Sequence, residues 1–232
     1  MNNRSKAIEE LAELILAVQR EHPVRVALDG VDAAGKTTLA DELALPIEAR
    51  CRPVIRASID GFHNPKEIRY RQGADSARGY YQDSFNNQAI IEKLLNPLGP
   101  EGNKEYVRMV YDYRVDAANH EPPREAPSDG ILIFDGVFLL RPELISYWDF
   151  RIFVEAGFAV SVPRAVQRDL SDGFANSEEA IIARYHQRYV AGQRLYFEDA
   201  HPKAHADVIF DNNNFDFPTM ELRKRNNCES AQ

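Results

Sequence analysis

Lys36 and Thr37 close the run Gly30-Val31-Asp32-Ala33-Ala34-Gly35-Lys36-Thr37, whose spacing is G-x-x-x-x-G-K-T. Chemistry at phosphate needs these residue types in this order. Glycines let the backbone curl until its N–H groups face phosphate oxygens. A helix beginning at the lysine adds its partial positive charge. Lys36 then serves as a point charge for terminal phosphates, and the Thr37 hydroxyl as a Mg²⁺ ligand. The flanks agree: Val24–Asp29 reads as a buried strand, and Thr38 opens a helical pattern through Leu45. The run Gly30 to Thr38, including Val31, Asp32, Ala33 and Ala34, is therefore expected to cradle a nucleotide. The bland alternative is a glycine-rich strand-to-helix turn.

Two further carboxylates stand where such a site needs them. Ser58-Ile59-Asp60-Gly61-Phe62-His63 ends a strand-like run with an acid that would lie across the phosphates. There Asp60 would accept the proton of an attacking hydroxyl or help hold Mg²⁺, or would merely cap a turn. His63 would orient a substrate or satisfy backbone groups. Ile131-Leu132-Ile133-Phe134-Asp135-Gly136 is an apolar strand ending in an acid, so Asp135 is a metal ligand or a turn Asp. Arg164 and Arg168 are four apart, as are Arg184 and Arg188, so each pair would share a helix face. Arginine forks suit phosphate oxygens; surface ion pairing is the alternative. Asp169 would orient these arginines or cap a turn.

The elements that must position these groups alternate. Strand-like runs at Val24–Asp29, Val54–Asp60, Ile131–Asp135, Arg151–Glu155 and Asp207–Asp211 are separated by helical segments, which predicts a parallel sheet with helices on both faces. Asp29, Asp60 and Asp135 would then lie at carboxyl ends of strands, where open parallel sheets bind ligands. Ser5 to Arg20 has the apolar spacing of a helix that packs on the sheet edge, stopped by Pro23. Glu105–Tyr113 alternates like a strand and continues extended to about His120, a hairpin beside the sheet. Asn119–Asp129, with Pro122, Pro123 and Pro127, reads as a loop. Phe158 to Asp199 reads as two helices joined around Gly173, and the chain after Asn212 as a fraying polar tail.

The 232 residues suffice for one α/β domain, and a net charge of −8 argues against a general nucleic-acid or membrane binder. Cys51 and Cys228 lack metal-ligand spacing and read as ordinary reduced thiols. No signal-peptide core or membrane-length apolar run occurs, so a cytoplasmic location is expected. A homo-oligomer is compatible with all of this.

From about Val24 to Asn212 the chain resembles the uridine kinase-like family of P-loop kinases, in the group with phosphoribulokinase and bacterial pantothenate kinase. The resemblance rests on Gly30–Thr37, Asp60-Gly61-Phe62-His63, Tyr111-Asp112-Tyr113, Phe134-Asp135-Gly136-Val137-Phe138-Leu139-Leu140, Arg164 with Arg168-Asp169, and Tyr189-Val190-Ala191-Gly192-Gln193-Arg194. It implies ATP as donor, Mg²⁺, a small-molecule hydroxyl as acceptor and a helical lid over the phosphates. It implies a single P-loop kinase domain over residues 1–232, with an N-terminal helix at 1–22, the lid at about 158–175 and the tail at about 213–232. By position, Asp60 resembles the catalytic base, Lys36, Arg164 and Arg168 the other catalytic groups, and Thr37 and Asp135 the metal ligands. The acceptor would meet Asp60, His63, Tyr80, Tyr111, Tyr113, Arg188 and Arg194.

Three departures bear on the acceptor. Uridine-cytidine kinases hold the ribose with an Asp in a Phe-Asp-His-Pro-Asp-Ala-Phe-like stretch; the matching stretch here is Gly79-Tyr80-Tyr81-Gln82-Asp83-Ser84-Phe85, with Tyr80 at that place. Their hairpin His is matched by Asp116. Their metal-site acid is often Glu, here Asp135. The resemblance thus implies phosphoryl transfer with a changed or broadened acceptor, such as a nucleoside or a sugar- or pantothenate-like metabolite. Two other readings stand beside it. Asp32 resembles the loop of nucleoside monophosphate kinases, though no Asp-Arg-Tyr-type motif follows the second strand. A non-catalytic ATP-binding protein keeps the loop without turnover. A guanine-nucleotide switch lacks its Asn-Lys-x-Asp, since Asn103-Lys104 is followed by Glu105-Tyr106.

Overall fold

The computed structural model describes residues 2–172 and 177–223. Six strands form the sheet: β1 (Val24–Gly30), β2 (Val54–Ser58), β3 (Ile131–Gly136), β4 (Phe150–Glu155), β5 (Val208–Asp211) and β6 (Thr219–Leu222). Their spatial order is β6-β5-β4-β1-β3-β2. β1 to β5 are parallel, and β6 runs antiparallel on β5. β1 and β3 are buried along their whole length, as a strand covered on both faces must be.

Helices cover both faces. α1 (Asn3–Leu16) packs on α2 (Lys36–Glu48), and the pair covers the face carrying Val26, Leu28, Ile133, Ile152 and Phe210. Leu11 and Ile15 of α1 are fully buried, worth roughly 1.5–3 kcal/mol each. The helix therefore lies on the sheet face, not its edge, and stops at Leu16, not Arg20. Arg20 leaves it to pair with Asp149, the residue before β4. The opposite face, with Ala27, Leu132, Phe134 and Phe153, packs against Phe138, Trp148 and Tyr196. It is covered by α3 (Ala77–Asp83) and by the later helix α6 (Ala191–Ala200), while α5 (Glu178–Arg184), which a π-helical turn at Tyr185–Val190 joins to α6, packs through Ile181 on Val162, Ala165 and Val166. α4 (Phe158–Ser171) leads from β4 toward α5. The expected joint at Gly173 lies outside the described residues.

As far as Arg223 the tail does not fray as expected, and residues 224–232 lie outside the described residues. Thr219–Leu222 pairs with β5, and Arg4 clasps the turn before it, bonding the Phe215 carbonyl and lying over its ring. β6 buries no residue fully, so no apolar pattern announced it. The hairpin is present but split: Tyr111–Asp112 pairs with Ala117–Ala118, and Glu105–Tyr106 with Arg124–Glu125 from the proline-rich loop. Its Val110 amide bonds the Gly61 carbonyl, which fastens it beside the end of β2. Among the described residues, no helix is long and apolar enough to cross a membrane.

Candidate active site

The loop after β1 has the expected form. Gly35 caps α2 in the left-handed region (φ +91°), and a Cβ there would meet the Asn212 amide at 2.5 Å. Asn212 Nδ2 donates to the Ala34 carbonyl at 2.7 Å, so β5 braces the back of the loop. Among the described residues, the amides of Asp32, Ala33, Gly35, Lys36 and Thr37 donate to no backbone carbonyl. Such a row of unused N–H groups at a helix N-terminus is an anion cradle. Lys36 Nζ folds over the loop and donates to the Val31 carbonyl at 2.6 Å. Burial pushes the lysine pKa down, while Asp32, Asp29, Asp135 and Asp60 push it up. Thr38 is exposed on the first turn.

The three strand-end acids separate. Asp135 meets the loop: the Thr37 hydroxyl donates to its Oδ2 at 2.8 Å, and Arg56 pairs with its Oδ1 at 3.0 Å. Thr37 and Asp135 thus offer two hard oxygens side by side. Among the described residues no three His, Cys, Asp or Glu side chains gather as a metal cluster. A donor set of one hydroxyl and one carboxylate fits Mg²⁺, which keeps waters and takes phosphate oxygens for its remaining positions. Asp60 lies beyond the strand, not on it. β2 ends at Ser58, and a 3₁₀ turn, Ile59–Gly61, carries the acid, with Ser58 Oγ accepting from the Asp60 amide. The residue reaches solvent. Burial raises its pKa first and the Asp135 charge second, against Lys36, Arg168 and Arg114. Asp29 is not in the site. It is fully buried behind the loop, accepting from the Tyr196 hydroxyl and from the Leu139 amide at 3.2 Å.

Around Asp60, His63 is clamped between the rings of Tyr113 (4.4 Å) and Phe85 (4.6 Å), with Nδ1 3.0 Å from the Asp60 carbonyl. Burial lowers its pKa to about 4, so the imidazole is neutral at working pH. Tyr111 borders the same corner and bonds Asp116, which also accepts from Arg69 at 2.8 Å. Tyr80 lies elsewhere. It is buried on α3, and its hydroxyl donates to Asp32 Oδ2 of the phosphate loop at 2.9 Å.

The arginines divide. Arg168 feels the charge of Asp32, and its guanidinium bonds Asp169 and the Tyr185 hydroxyl at 2.9 Å. Arg164, four residues earlier, turns to the chain after β5 and donates to the Asn212 and Asn213 carbonyls, each at 3.0 Å. Arg188 is buried, holding the Ala74 and Ser76 carbonyls, so it shapes the segment before α3. Arg194 is exposed, 5.7 Å from the Phe158 ring. Arg184 reaches the Tyr70 hydroxyl at 3.4 Å and lies 5.5 Å from the Tyr189 ring.

Three positioning groups escaped the sequence reading. Gln193 donates to Asp32 at 2.6 Å beside Tyr80, Tyr196 holds Asp29, and Asn212 braces Ala34. Gln193 fell within a quoted motif, but nothing in its spacing says that it faces the loop.

The pattern of the Phosphoribulokinase / Uridine kinase family matches residues 26–215. A uridine kinase of Clostridium botulinum strain Langeland is 22% identical over 209 residues, spanning 83% of this chain and 96% of that one. Uridine-cytidine kinase B of Dictyostelium discoideum is 26% identical over 192 residues, 82% of this chain and 74% of that one. A Bacillus stearothermophilus structure described as a possible uridine kinase superposes with a TM-score of 0.71 at 22% identity, covering 89% of this chain and 98% of that one.

Proposed function

Because the chain belongs to the Phosphoribulokinase / Uridine kinase family, and so is an ATP-dependent kinase acting on a small-molecule hydroxyl, we propose roles for its residues and an acceptor other than uridine or cytidine. The phosphate loop and Lys36 bind the triphosphate. Thr37 and Asp135 hold Mg²⁺, which when bound neutralises charge on the β- and γ-phosphates. Asp60 takes the proton of the acceptor hydroxyl. The acceptor oxygen bonds to the γ-phosphorus, the bond to the β–γ bridging oxygen breaks, and ADP leaves. Arg168 supplies charge to the transferring group.

The observation that carries this reading is the position of Asp60. It lies on the turn after β2, in the field of both Lys36 and Asp135, with the hairpin and His63 against it. A carboxylate whose pKa is raised there is a better base than an ordinary one. Against uridine stand Tyr80 and Asp116, whose polar atoms already serve Asp32 and Arg69. A ribose diol without its carboxylate loses a charge-assisted bond of about 1.5–3 kcal/mol, roughly ten- to a hundred-fold in specificity.

A coupled ADP-release screen with Mg·ATP against nucleosides, pantothenate, sugars and sugar phosphates tests both parts. Acceptor-dependent ADP release is expected, with uridine and cytidine among the poor acceptors. Uridine turnover with kcat/KM of about 10⁴ M⁻¹s⁻¹ or more would overturn the acceptor assignment.

A further inference from the structure

We propose that the acceptor carries an anionic group, a carboxylate or a phosphate, which docks on the guanidinium of Arg69 between the end of β2 and the hairpin; this rests on the kinase reading above. Arg69 ends the short turn Lys66–Arg69 and is nine-tenths buried, with 9% exposure. Its Nε is buried with no hydrogen-bond partner. A buried donor left unpaired is unfavourable, and a guanidinium edge of two N–H groups matches the two oxygens of a carboxylate or phosphate. Here that edge is half used: among the described residues, the only carboxylate paired with Arg69 is Asp116, through a single oxygen, Oδ1, on one terminal nitrogen.

Asp116 looks like an occupant that can yield. It sits in the hairpin turn with φ +52° and is one-third exposed. The same Oδ1 also takes the Lys66 amide at 3.2 Å, and Tyr111 bonds Asp116 as well, so Arg69 is one of three donors that this carboxylate serves. An incoming anion that takes the Nε edge of Arg69 competes directly with it.

The place is on the acceptor side of Asp60. His63 bonds the Asp60 carbonyl and feels the Arg69 charge, and Tyr111 feels both Asp116 and Arg69. Arg114, at the tip of the same hairpin, acts on Asp60 through its charge and has no carboxylate within ion-pair distance among the described residues. Arg114 thus acts on the base and Arg69 on the His63 beside it, in a chain whose net charge is −8. A neutral nucleoside offers them carbonyl and hydroxyl acceptors but not the opposite charge of an anion.

Calorimetric titration of the whole protein tests this with matched pairs: ribose 5-phosphate against ribose, D-glycerate against glycerol, and inorganic phosphate as the smallest anion. Binding of a nonhydrolysable Mg·ATP analogue is measured on every variant. At least one anionic probe should bind ten-fold or more tighter than its neutral partner. Arg69→Gln should erase that difference. Asp116→Asn should strengthen anion binding several-fold, a gain that a merely structural ion pair would not give. The two pairs distinguish phosphate from carboxylate. Equal binding within both pairs, no binding by any anion, or anion affinity unmoved by both Arg69→Gln and Asp116→Asn overturns the proposal. Loss of nucleotide binding by the wild-type protein would instead defeat the kinase reading, and the anion titrations would still read Arg69.

Discussion

Lys36 and Asp60 carry separable parts of the reaction, so their removal should look different. Lys36→Ala deletes the charge over the loop and should lower acceptor-dependent turnover by on the order of 10²-fold or more. Circular dichroism should find the fold retained, because among the described residues the ammonium meets one backbone carbonyl, that of Val31. Near wild-type turnover would exclude Lys36 from the phosphate site. Asp60→Asn keeps the shape but takes no proton. It should bind Mg·ATP within a few-fold of wild type and lose most transfer. Collapse of nucleotide binding, with recovery in excess Mg²⁺, would make Asp60 chiefly a metal ligand. The pH profile adds a check. Because burial and the charge of Asp135 raise the Asp60 pKa, the acidic fall in rate should set in above the ordinary carboxylate range. His63, lowered to about 4, should add no inflection near 6.5.

At the scale of elements, α4 carries two arginines on one face that end in different places. Arg168→Ala should lower kcat more than it weakens ATP binding, since its charge is most useful on the transferring group. Arg164→Ala removes two bonds to the Asn212 and Asn213 carbonyls and should cost about 1–3 kcal/mol of stability, read by denaturant melting. If Arg164→Ala instead cuts kcat at unchanged stability, its side chain turns to the nucleotide. This split marks the boundary of what the sequence discloses. Strands β1 to β5 were legible because runs such as Ile131–Phe134 are apolar enough to need burial on both faces. The phosphate loop was legible because its glycine and lysine spacing is a backbone requirement. β6 was not, having no buried side. Nor were the roles of Arg188, Tyr80 and Asp29. A side chain's type says which bonds it can make, while the partner comes from another element: Asp32 for Tyr80, the Ala74 carbonyl for Arg188, Tyr196 for Asp29. Tyr80→Phe, which keeps the packing on Phe138 and Tyr189, is consequently the clean probe of that contact.

For the whole molecule, two helical layers and a parallel sheet bring β1, β2, β3 and β5 to one edge, and the loop is braced from behind by groups that perform no transfer. Asp29 is the most deeply set of these. Burial raises its pKa to about 6, against the opposing effect of the Tyr196 bond. The folded protein thus binds this proton more tightly than the unfolded chain, whose Asp titrates near 4. Stability from this group is full below pH 4 and declines as pH rises to about 6, by on the order of 3 kcal/mol. The stability difference between wild type and Asp29→Asn should therefore shift in favour of the variant between pH 4 and 6. A difference independent of pH would show that Asp29 titrates normally.

The central claim is that Asp60 directs a γ-phosphoryl group from ATP to an acceptor hydroxyl. Mass spectrometry of the best acceptor, after incubation with ATP labelled with ¹⁸O in the γ-phosphate, tests it most directly. The account predicts one labelled phosphoryl group on the acceptor with the wild-type protein, and little or none with Asp60→Asn at the same nucleotide occupancy. Label found only in inorganic phosphate, or equal transfer by both proteins, would contradict it.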